Sequence, residues 1–425
     1  MNKKLILILM VTSTTFSQDK YIHAGKIYDS NLGKYELNKT IIISDNIISS
    51  IENGFIEPKN DNVELIDLKT KVILPGLIDL HVHMESESGG KEKYINKFQD
   101  SKADVAFKST VVAKKTLLAG FTTVRDVGGS GVNIALRNAI NNGLVDGPRI
   151  FTSGKTIATT GGHGDPTNGY RPDLVDDPGP EQGVVNSIGD ARKAVRYRYK
   201  NGADLIKITA TGGVMSMTKN GQNPQFTEEV IKAIVNTAAD YGMHVAAHAH
   251  GDEGMYRAVK AGVKTIEHGS IMKERTMKLM REKNAYLVPT ISAGEHVAKM
   301  ASIPGYYPEI IIPKALEVGV QNKSSTKKAY EMGVPISFGT DAGVFPHGDN
   351  AGEFVYWDEI GIPAEYSLRA ATLTNAKLLN MENLLGQIKK GFYADIIATE
   401  ESPLENISTL KNIVFVMKDG KVYKK

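Results

Sequence analysis

The sequence predicts an α/β protein: a (β/α)8 TIM-like barrel accompanied by a small β-sandwich domain that both ends of the chain build together. Two observations support this prediction. The middle of the chain alternates short apolar strands with helix-length segments, which is typical of parallel βαβ units. Both ends instead carry β-rich pieces separated by Asp, Asn and Gly turn signals. We therefore predict a signal peptide at 1–17, the small β domain at 18–74 and 384–425, and the barrel at 75–383.

The N-terminus has the pattern of a secretory signal peptide. Lys3 and Lys4 precede an apolar run at 5–11, and small residues follow before Gln18. This run is shorter than the roughly 20 residues that a membrane-spanning helix needs. We expect a periplasmic or secreted protein without a membrane span, and a buried N-terminal strand is the alternative.

Composition narrows the chemistry. The 425 residues carry a formal charge of only +3 without a run of like charges, so we expect no nucleic-acid partner. The chain has no cysteine, which excludes disulfides, thiolate metal ligands and a cysteine nucleophile. Any metal must therefore be held by His, Asp, Glu or a modified Lys.

The two ends of the chain predict one shared sheet. Short strand-like pieces occur at 21–25, 40–43 and 46–48, and again at 393–398 and 413–422. The dipeptide Asp419-Gly420 is a strong hairpin signal in the last of these. No helix-length periodic segment interrupts the N-terminal pieces, so we expect both ends to pair in the small β domain.

Eight candidate strands follow one another in the central region, at 76–83, 122–127, 149–153, 205–210, 244–248, 265–268, 286–290 and 335–340. Helical segments such as 227–241 and 252–261 lie between them. Five glycines stand just before strands, where helix C-caps are expected: Gly120, Gly202, Gly242, Gly262 and Gly333. Eight units favour a closed barrel over a doubly wound open sheet, whose glycine-rich phosphate turn has no counterpart here.

Strongly coordinating side chains fall at the predicted carboxyl ends of these strands, where barrel enzymes place their active sites. His81 and His83 end the first strand and, two residues apart, point to the same side, so both can reach one ion. His248 ends the fifth strand, His268 ends the sixth, and Asp341 follows the eighth. Packing alone does not explain this placement, because charged and imidazole groups are costly to bury.

Lys207 lies in the middle of an apolar strand, where a free ammonium group would be costly to bury. Its side chain either turns outward to water or points into the barrel with a lowered pKa. In the second case it would react with carbon dioxide to give a carbamate that bridges two metals. The other candidate ligands favour this second interpretation.

The order HxH, Lys, His, His, Asp resembles the binuclear amidohydrolase superfamily. Local strings narrow the resemblance to the imidazolonepropionase-like and prolidase-like branch: LPGLIDLHVH at 74–83, GFTTVRD at 120–126, AHAHG at 247–251, EHG at 267–269 and GFYAD at 391–395. The resemblance extends from about residue 20 to the C-terminus.

The resemblance implies two divalent metal ions, expected to be zinc. His81, His83 and Asp341 would hold one ion and His248 and His268 the other, with carboxylated Lys207 and a hydroxide between them. Asp341 would also be catalytic, carrying a proton from the hydroxide to the departing nitrogen.

The implied reaction is hydrolysis of an amide bond in a small peptide or an N-acyl amino acid, by a dipeptidase, a carboxypeptidase or an amidase. Two alternatives are opening of a cyclic amide, as in imidazolonepropionase, and a catalytically silent metal-binding secreted protein. Relatives often self-associate, so a homo-oligomer is a further possibility.

Two histidines are candidates for substrate contact. His250 shares the strand phase of His248 and would lie above the metals as a catalytic oxyanion donor and substrate contact. His163 lies among glycines on the loop after the third strand and would bind substrate. His347 is expected at the rim of the site. Loops at 166–183 and 291–312 are expected to determine substrate specificity. Three histidines are interpreted as structural or surface residues: His23, His244 and His296.

Overall fold

The computed structural model describes residues 19–58, 60, 62–318 and 321–425, and the predicted signal peptide lies outside this part of the chain. Its strands are β1 (Lys20–Asp29), β2 (Lys34–Ser44), β3 (Ile47–Asn53), β4 (Glu64–Pro75), β5 (Leu77–Val82), β6 (Phe121–Asp126), β7 (Arg149–Thr152), β8 (Ile206–Thr209), β9 (Val245–Gly251), β10 (Thr265–Ile271), β11 (Tyr286–Val288), β12 (Ile396–Thr399), β13 (Phe415–Lys418) and β14 (Lys421–Lys424).

Both ends of the chain build one seven-stranded sheet in the order β14-β13-β12-β4-β1-β2-β3, which confirms that they share a sheet. The predicted sandwich is a single curled sheet rather than two separate ones. Beyond the edge strand β3, Ile48 N donates to Phe392 O at 2.9 Å and Ala394 N donates to Asn46 O at 2.8 Å. The curl closes a common apolar core that draws side chains from β1, β2, β4, β12 and β13.

The central region forms two parallel sheets, β5-β6-β7 and β11-β10-β9-β8. Backbone hydrogen bonds connect them between β7 and β8, where Asp204 N donates to Thr152 O at 2.8 Å and Ile157 N donates to Lys207 O at 2.8 Å. Because all seven strands run in one direction, their carboxyl ends lie at the same side of the sheets.

The prediction of an eighth strand at 335–340 is wrong, because these residues do not form a regular strand. Their backbone nevertheless bonds to both β11 and β5. Ser337 N donates to Leu287 O at 2.8 Å and Leu80 N donates to Phe338 O at 3.0 Å. Side chains take the places of strand partners: Asn375 Oδ1 accepts from Phe338 N at 3.3 Å, and Asp79 Oδ1 accepts from Thr340 N at 3.1 Å. These side-chain acceptors interrupt the ladder that a strand would need.

The helices are α1 (Glu92–Gln99), α2 (Lys102–Leu118), α3 (Val132–Asn141), α4 (Ile188–Lys200), α5 (Glu228–Ala239), α6 (Asp252–Ala261), α7 (Glu274–Lys283), α8 (Ile291–Ala301), α9 (Ile312–Val318), α10 (Gln321–Glu331), α11 (Gly352–Glu359), α12 (Ala364–Arg369) and α13 (Asn375–Leu378). The last two are joined by a π-helical turn at Ala370–Thr374, and short 3-10 helices lie at Pro172–Leu174 and Ile407–Lys411.

Local sequence signals explain several helix ends. All five predicted cap glycines have positive φ, and Gly262 ends α6 with φ of 102°.

The prediction of a loop throughout 291–312 is wrong, because α8 occupies its first half. No helix in the described part of the chain is long and apolar enough to cross a membrane.

The helices pack on the parallel sheets through one large hydrophobic cluster. It includes Leu117 of α2 and Ile231 of α5 together with Val124 of β6 and Ile206 of β8. All four side chains are almost fully buried. This packing supports the strands from outside and leaves their carboxyl ends available for a site.

Asn375 gives a test of the seam between β5 and the segment 335–342. Its Nδ2 donates to Ile78 O at 2.7 Å and Phe338 O at 2.8 Å, and the side chain is fully buried. Asn375→Ala removes one hydrogen bond from each of these carbonyls and is expected to lower the free energy of unfolding by about 2–3 kcal/mol. Urea denaturation measures the change. Asn236→Ala, on the exposed face of α5, is the control and should change little; equal stabilities for both variants would contradict this role of Asn375.

Candidate active site

A cavity of about 830 Å³ lies at the carboxyl ends of the parallel strands. It is lined by every residue for which the sequence predicted a ligand, catalytic or substrate role: His81, His83, His163, Lys207, His248, His250, His268 and Asp341. The structure therefore brings together side chains that are separated by up to 260 positions in the sequence.

Three of these residues form a compact group. His83 Nε2 lies 3.3 Å from Asp341 Oδ1, and His81 Nε2 lies 3.6 Å from the same oxygen. The ligand atoms of all three residues lie within 4.8 Å of one another. Two imidazole nitrogens and a carboxylate oxygen at such separations can share one divalent ion.

The second nitrogen of each of these imidazoles is occupied by the protein. His81 Nδ1 lies 2.7 Å from Glu267 Oε2, and His83 Nδ1 lies 2.7 Å from Gly128 O. Because both partners are acceptors, they place the proton on Nδ1 and leave Nε2 with a free lone pair. Outer partners of this kind orient metal-binding histidines.

His248 and His268 form a second pair, with ring centroids 4.6 Å apart. His248 Nε2 contacts Gly212 O at 3.0 Å, whereas His268 Nδ1 contacts Thr290 Oγ1 at 2.7 Å. Opposite ring nitrogens are thus tethered in the two residues. The remaining nitrogens, Nδ1 of His248 and Nε2 of His268, stay available for a ligand.

Burial keeps most of these imidazoles neutral, which is the form that binds metals. It lowers the pKa of His81 to about 4 and the pKa of His248 and of His268 well below the usual value. Burial also disfavours the charged form of His83, but the adjacent Asp341 carboxylate outweighs it and raises the pKa of that residue.

Lys207 of β8 points inward, so the alternative of an outward side chain is wrong. It is buried and lines the cavity, and within the described residues no hydrogen bond or ion pair engages its amine. Burial lowers the pKa of Lys207 to about 8. About a tenth of the amine is then neutral at pH 7, the form that reacts with carbon dioxide.

Two orphaned polar atoms test whether these residues suit a metal. His81 Nε2 and Asp341 Oδ1 are buried and have no hydrogen-bond partner among the described residues. Leaving such atoms unpaired is costly unless another group satisfies them. Imidazole nitrogens, carboxylate oxygens and no thiolate form a donor set that suits Zn²⁺ and similar divalent ions.

The backbone is strained at three positions around the same group. His268, Thr290 and Asp341 have φ values of 73°, 52° and 62°. The other described non-glycine residues with positive φ are all Asn or Asp, which adopt this region more readily than a β-branched residue such as Thr290. Such strain concentrates at functional sites, where the surrounding structure holds it in place.

The two predicted substrate contacts lie beside the imidazole cluster. His163 stacks on His248 with ring centroids 4.3 Å apart, above Gly213, where a Cβ atom would lie 2.2 Å from the His163 ring. His250 Nδ1 lies 2.9 Å from Ser270 Oγ. Burial lowers the pKa of His163 to about 3 and that of His250 to about 4, so both are neutral at pH 7.

The prediction that His347 lines the rim is wrong. This residue is buried, with Nδ1 3.0 Å from Thr116 Oγ1 and Nε2 3.2 Å from His83 O. It therefore braces the turn after β5 against α2. Three other histidines lie outside the cavity lining, as expected for structural residues: His23, His244 and His296.

Sequence reasoning missed the groups that orient the ligands. Glu267 precedes His268 in β10 and accepts from His81, and Arg125 of β6 lies 2.9 Å from its other oxygen. Both side chains are fully buried. Charged residues inside apolar strands next to the recognised motifs were the available signal, because such residues need buried partners.

Comparisons with known proteins agree with this geometry. The model of the amidohydrolase family matches residues 72–423. An ochratoxinase from Aspergillus niger is 33% identical over 439 residues, covering 98% of this chain and 89% of its own. A Xaa-Pro dipeptidase crystallised with methionine in its active site has a TM-score of 0.93 and 52% identity, covering 96% of this chain and all of its own. A prolidase bound to N-methylphosphonate-L-proline has a TM-score of 0.87 and 32% identity over the same shares.

Thr290 tests the importance of the tethers. Thr290→Val keeps the side-chain shape but removes the hydroxyl that contacts His268 Nδ1. We expect affinity for Zn²⁺ to fall by about 10- to 100-fold, because the ring loses its orienting partner. Competition with a chromophoric chelator measures this affinity.

Thr122→Val is the matched control, since Thr122 is a buried threonine of β6 whose hydroxyl has no partner among the described residues. It should bind Zn²⁺ like the parent protein. Unchanged affinity in Thr290→Val, with the fold verified by circular dichroism, would show that the hydroxyl does not support His268.

Proposed function

Because the chain belongs to the amidohydrolase family, we propose that it is an exported binuclear metal-dependent hydrolase that cleaves the amide bond of a dipeptide or an N-acyl amino acid. One observation carries this proposal. Four imidazoles, each tethered through one nitrogen, converge with Asp341 and the inward amine of Lys207 in a single cavity.

The residues divide into two ligand sets. His81, His83 and Asp341 would hold one ion, and His248 and His268 the other, with zinc as the expected metal. When bound, the two ions would supply an acidified water and polarise the scissile carbonyl. The inward position of Lys207 supports its assignment as the bridging ligand.

Lys207 would act as a carbamate. Its neutral amine attacks carbon dioxide, a nitrogen–carbon bond forms, and one proton is released to solvent. The product is an anion with two oxygens in place of a buried ammonium, which suits a site that holds cations. Burial favours the reaction because it lowers the pKa of the amine to about 8.

Asp341 is proposed to move the proton. Burial raises its pKa, but the two neighbouring histidines outweigh that effect and lower it, so the carboxylate is ionised and can accept a proton from the attacking water. It would then deliver that proton to the departing nitrogen, which must leave as an amine. Its Oδ1 lies 3.3 Å from His83 Nε2 and 3.6 Å from His81 Nε2.

The two further histidines would act on the substrate. With the Ser270 hydroxyl donating to Nδ1 of His250, the Nε2–H of this neutral ring can donate to the developing oxyanion. His163, on the loop that follows β7, would also contact the substrate. Its Nδ1 has no hydrogen-bond partner among the described residues.

Three further features complete the proposal. We infer that the two parallel sheets and segment 335–342 together form the closed (β/α)8 barrel, since this segment bonds to both β5 and β11. The basic and apolar N-terminal pattern supports export to the periplasm or medium. The similarity of the chain to an ochratoxinase, a Xaa-Pro dipeptidase and a prolidase favours a peptide or an acyl amino acid as the substrate over a cyclic amide.

Asp341→Asn tests the proton transfer. The amide cannot accept the proton from water, so kcat is expected to fall by at least about 1000-fold while zinc remains bound. Steady-state kinetics and metal analysis by mass spectrometry measure the two effects, with two zinc equivalents expected for the parent. Asp349→Asn, an exposed neighbour outside the cavity lining, is the control and should keep full activity. Substantial turnover by Asp341→Asn would remove Asp341 from this role.

A substrate panel tests the reaction class. We expect the zinc-loaded protein to hydrolyse at least one member among Xaa-Pro, Xaa-Arg and Xaa-Lys dipeptides and N-acyl aromatic amino acids, as measured by release of the free amino acid. Chelator-treated protein should lose this activity and regain it with zinc. Turnover of imidazolonepropionate alone would overturn the assignment to peptides and acyl amino acids.

A further inference from the structure

Two lysines of α1 line the cavity without a role in the chemistry proposed above. Lys93 and Lys97 are four residues apart, so they lie on the same face of the helix. Both contribute to the wall of the same cavity as Asp341. Two neighbouring ammonium groups repel each other, and an anion between them would relieve this repulsion.

No carboxylate of the described residues pairs with either lysine. Asp341 and Glu87 act on Lys93 only from a distance. Asp341 Oδ1 lies 3.3 Å from His83 Nε2, and Glu87 is paired with Lys115 at 3.0 Å and accepts from His347 N at 2.9 Å. The cavity thus contains ammonium groups whose charge is not neutralised by an ion pair.

Lys93 is held next to the residue that would protonate the leaving group. Its Nζ donates to Gly343 O at 3.0 Å, two residues beyond Asp341 in the chain. An ammonium group has three donors, so two remain after this bond. Burial lowers the pKa of Lys93 to about 8, which leaves the group mostly protonated at pH 7.

The helix that carries Lys93 is itself anchored. The next residue, Tyr94, donates from its hydroxyl to Met215 O at 3.1 Å. Gly343 has φ of 109°, and a Cβ atom there would lie 2.8 Å from His83 O, so only glycine fits this turn. Both sides of the Lys93–Gly343 contact are therefore fixed in position.

The chemistry of the substrate places a carboxylate near this point. In a dipeptide or an N-acyl amino acid, one α-carbon separates the scissile nitrogen from the terminal carboxylate. If Asp341 protonates that nitrogen, the carboxylate must lie close to Asp341. The ammonium of Lys93 occupies the same neighbourhood.

We propose that Lys93, supported by Lys97, binds the α-carboxylate of the amino acid that the reaction releases, and thereby selects substrates with a free C-terminal carboxylate. This inference rests on the proposed function, since it names a specificity-determining residue for the same site. It predicts that amidated peptides are poor substrates, because an amide leaves the ammonium groups without a charged partner.

The test compares the free acid and the C-terminal carboxamide of each substrate that the panel reveals. The parent protein should prefer the acid by about 100-fold in kcat/KM, as expected for charge-assisted hydrogen bonds. Lys93→Met should reduce this preference to less than about 10-fold, mainly through a higher KM for the acid. Lys93→Arg should restore most of it.

Lys108→Met is the matched control. Lys108 also lines the cavity, but its Nζ is already paired with Asp100 at 2.7 Å. Its replacement should leave the ratio of acid to amide unchanged. Thermal unfolding and zinc content verify that each variant retains the fold and the metal.

Binding of products gives a readout that does not need turnover. L-proline, L-arginine and L-phenylalanine should bind the zinc-loaded parent in calorimetric titrations at least about 10-fold more tightly than their carboxamides, and Lys93→Met should remove this difference. Equal use of acid and amide by the parent, or equal losses for both in Lys93→Met, would overturn the inference while the hydrolase assignment stands. Lys93-dependent binding without hydrolysis of any panel member would instead overturn the proposed reaction and support the carboxylate site.

Discussion

The buried contact between Arg125, Glu267 and His81 is the interaction on which the site depends. Glu267 accepts from His81 Nδ1 at 2.7 Å and from Arg125 Nη2 at 2.9 Å, and Arg125 Nε donates to Leu80 O at 2.6 Å. Burial alone would raise the pKa of Glu267, but Arg125 and His81 bring it well below its usual range. The carboxylate therefore stays ionised, fixes the tautomer of His81, and links β5, β6 and β10 beneath the cavity. Burying these charges is costly, and this cost is offset only because every partner is present.

The loop that follows β8 extends this organisation to the second pair of histidines. Gly212 O accepts from His248 Nε2, and Gly213 packs against His163. The buried ammonium of Lys314 in α9 donates to Ser216 O at 2.6 Å and holds the loop from the other side. A helix distant in sequence thus holds the loop whose Gly212 carbonyl orients His248. This arrangement explains how a glycine-rich loop remains defined beside the reacting centre.

Preorganisation at the cavity has a conformational cost. The strained backbone at His268, Thr290 and Asp341 would relax in a free peptide, and each such residue costs about 1–3 kcal/mol. The large hydrophobic cluster that joins strands and helices offsets this cost. Imidazoles that are already oriented by the protein can accept a divalent ion without first reorganising.

The sequence by itself predicted the coordinating side chains that the fold brings together in one cavity. His81, His83, Lys207, His248, His268 and Asp341 were found from strand ends and recognised motifs, because strand periodicity and composition are local properties. Only the tertiary structure decided which groups orient these side chains and where the predicted strand is interrupted. Thr340 bonds to Asp79 across 261 positions, which replaces strand pairing at 335–340, and His347 turns to Thr116 across 231 positions instead of the rim. Such partners meet only when the chain folds, so no local pattern records them.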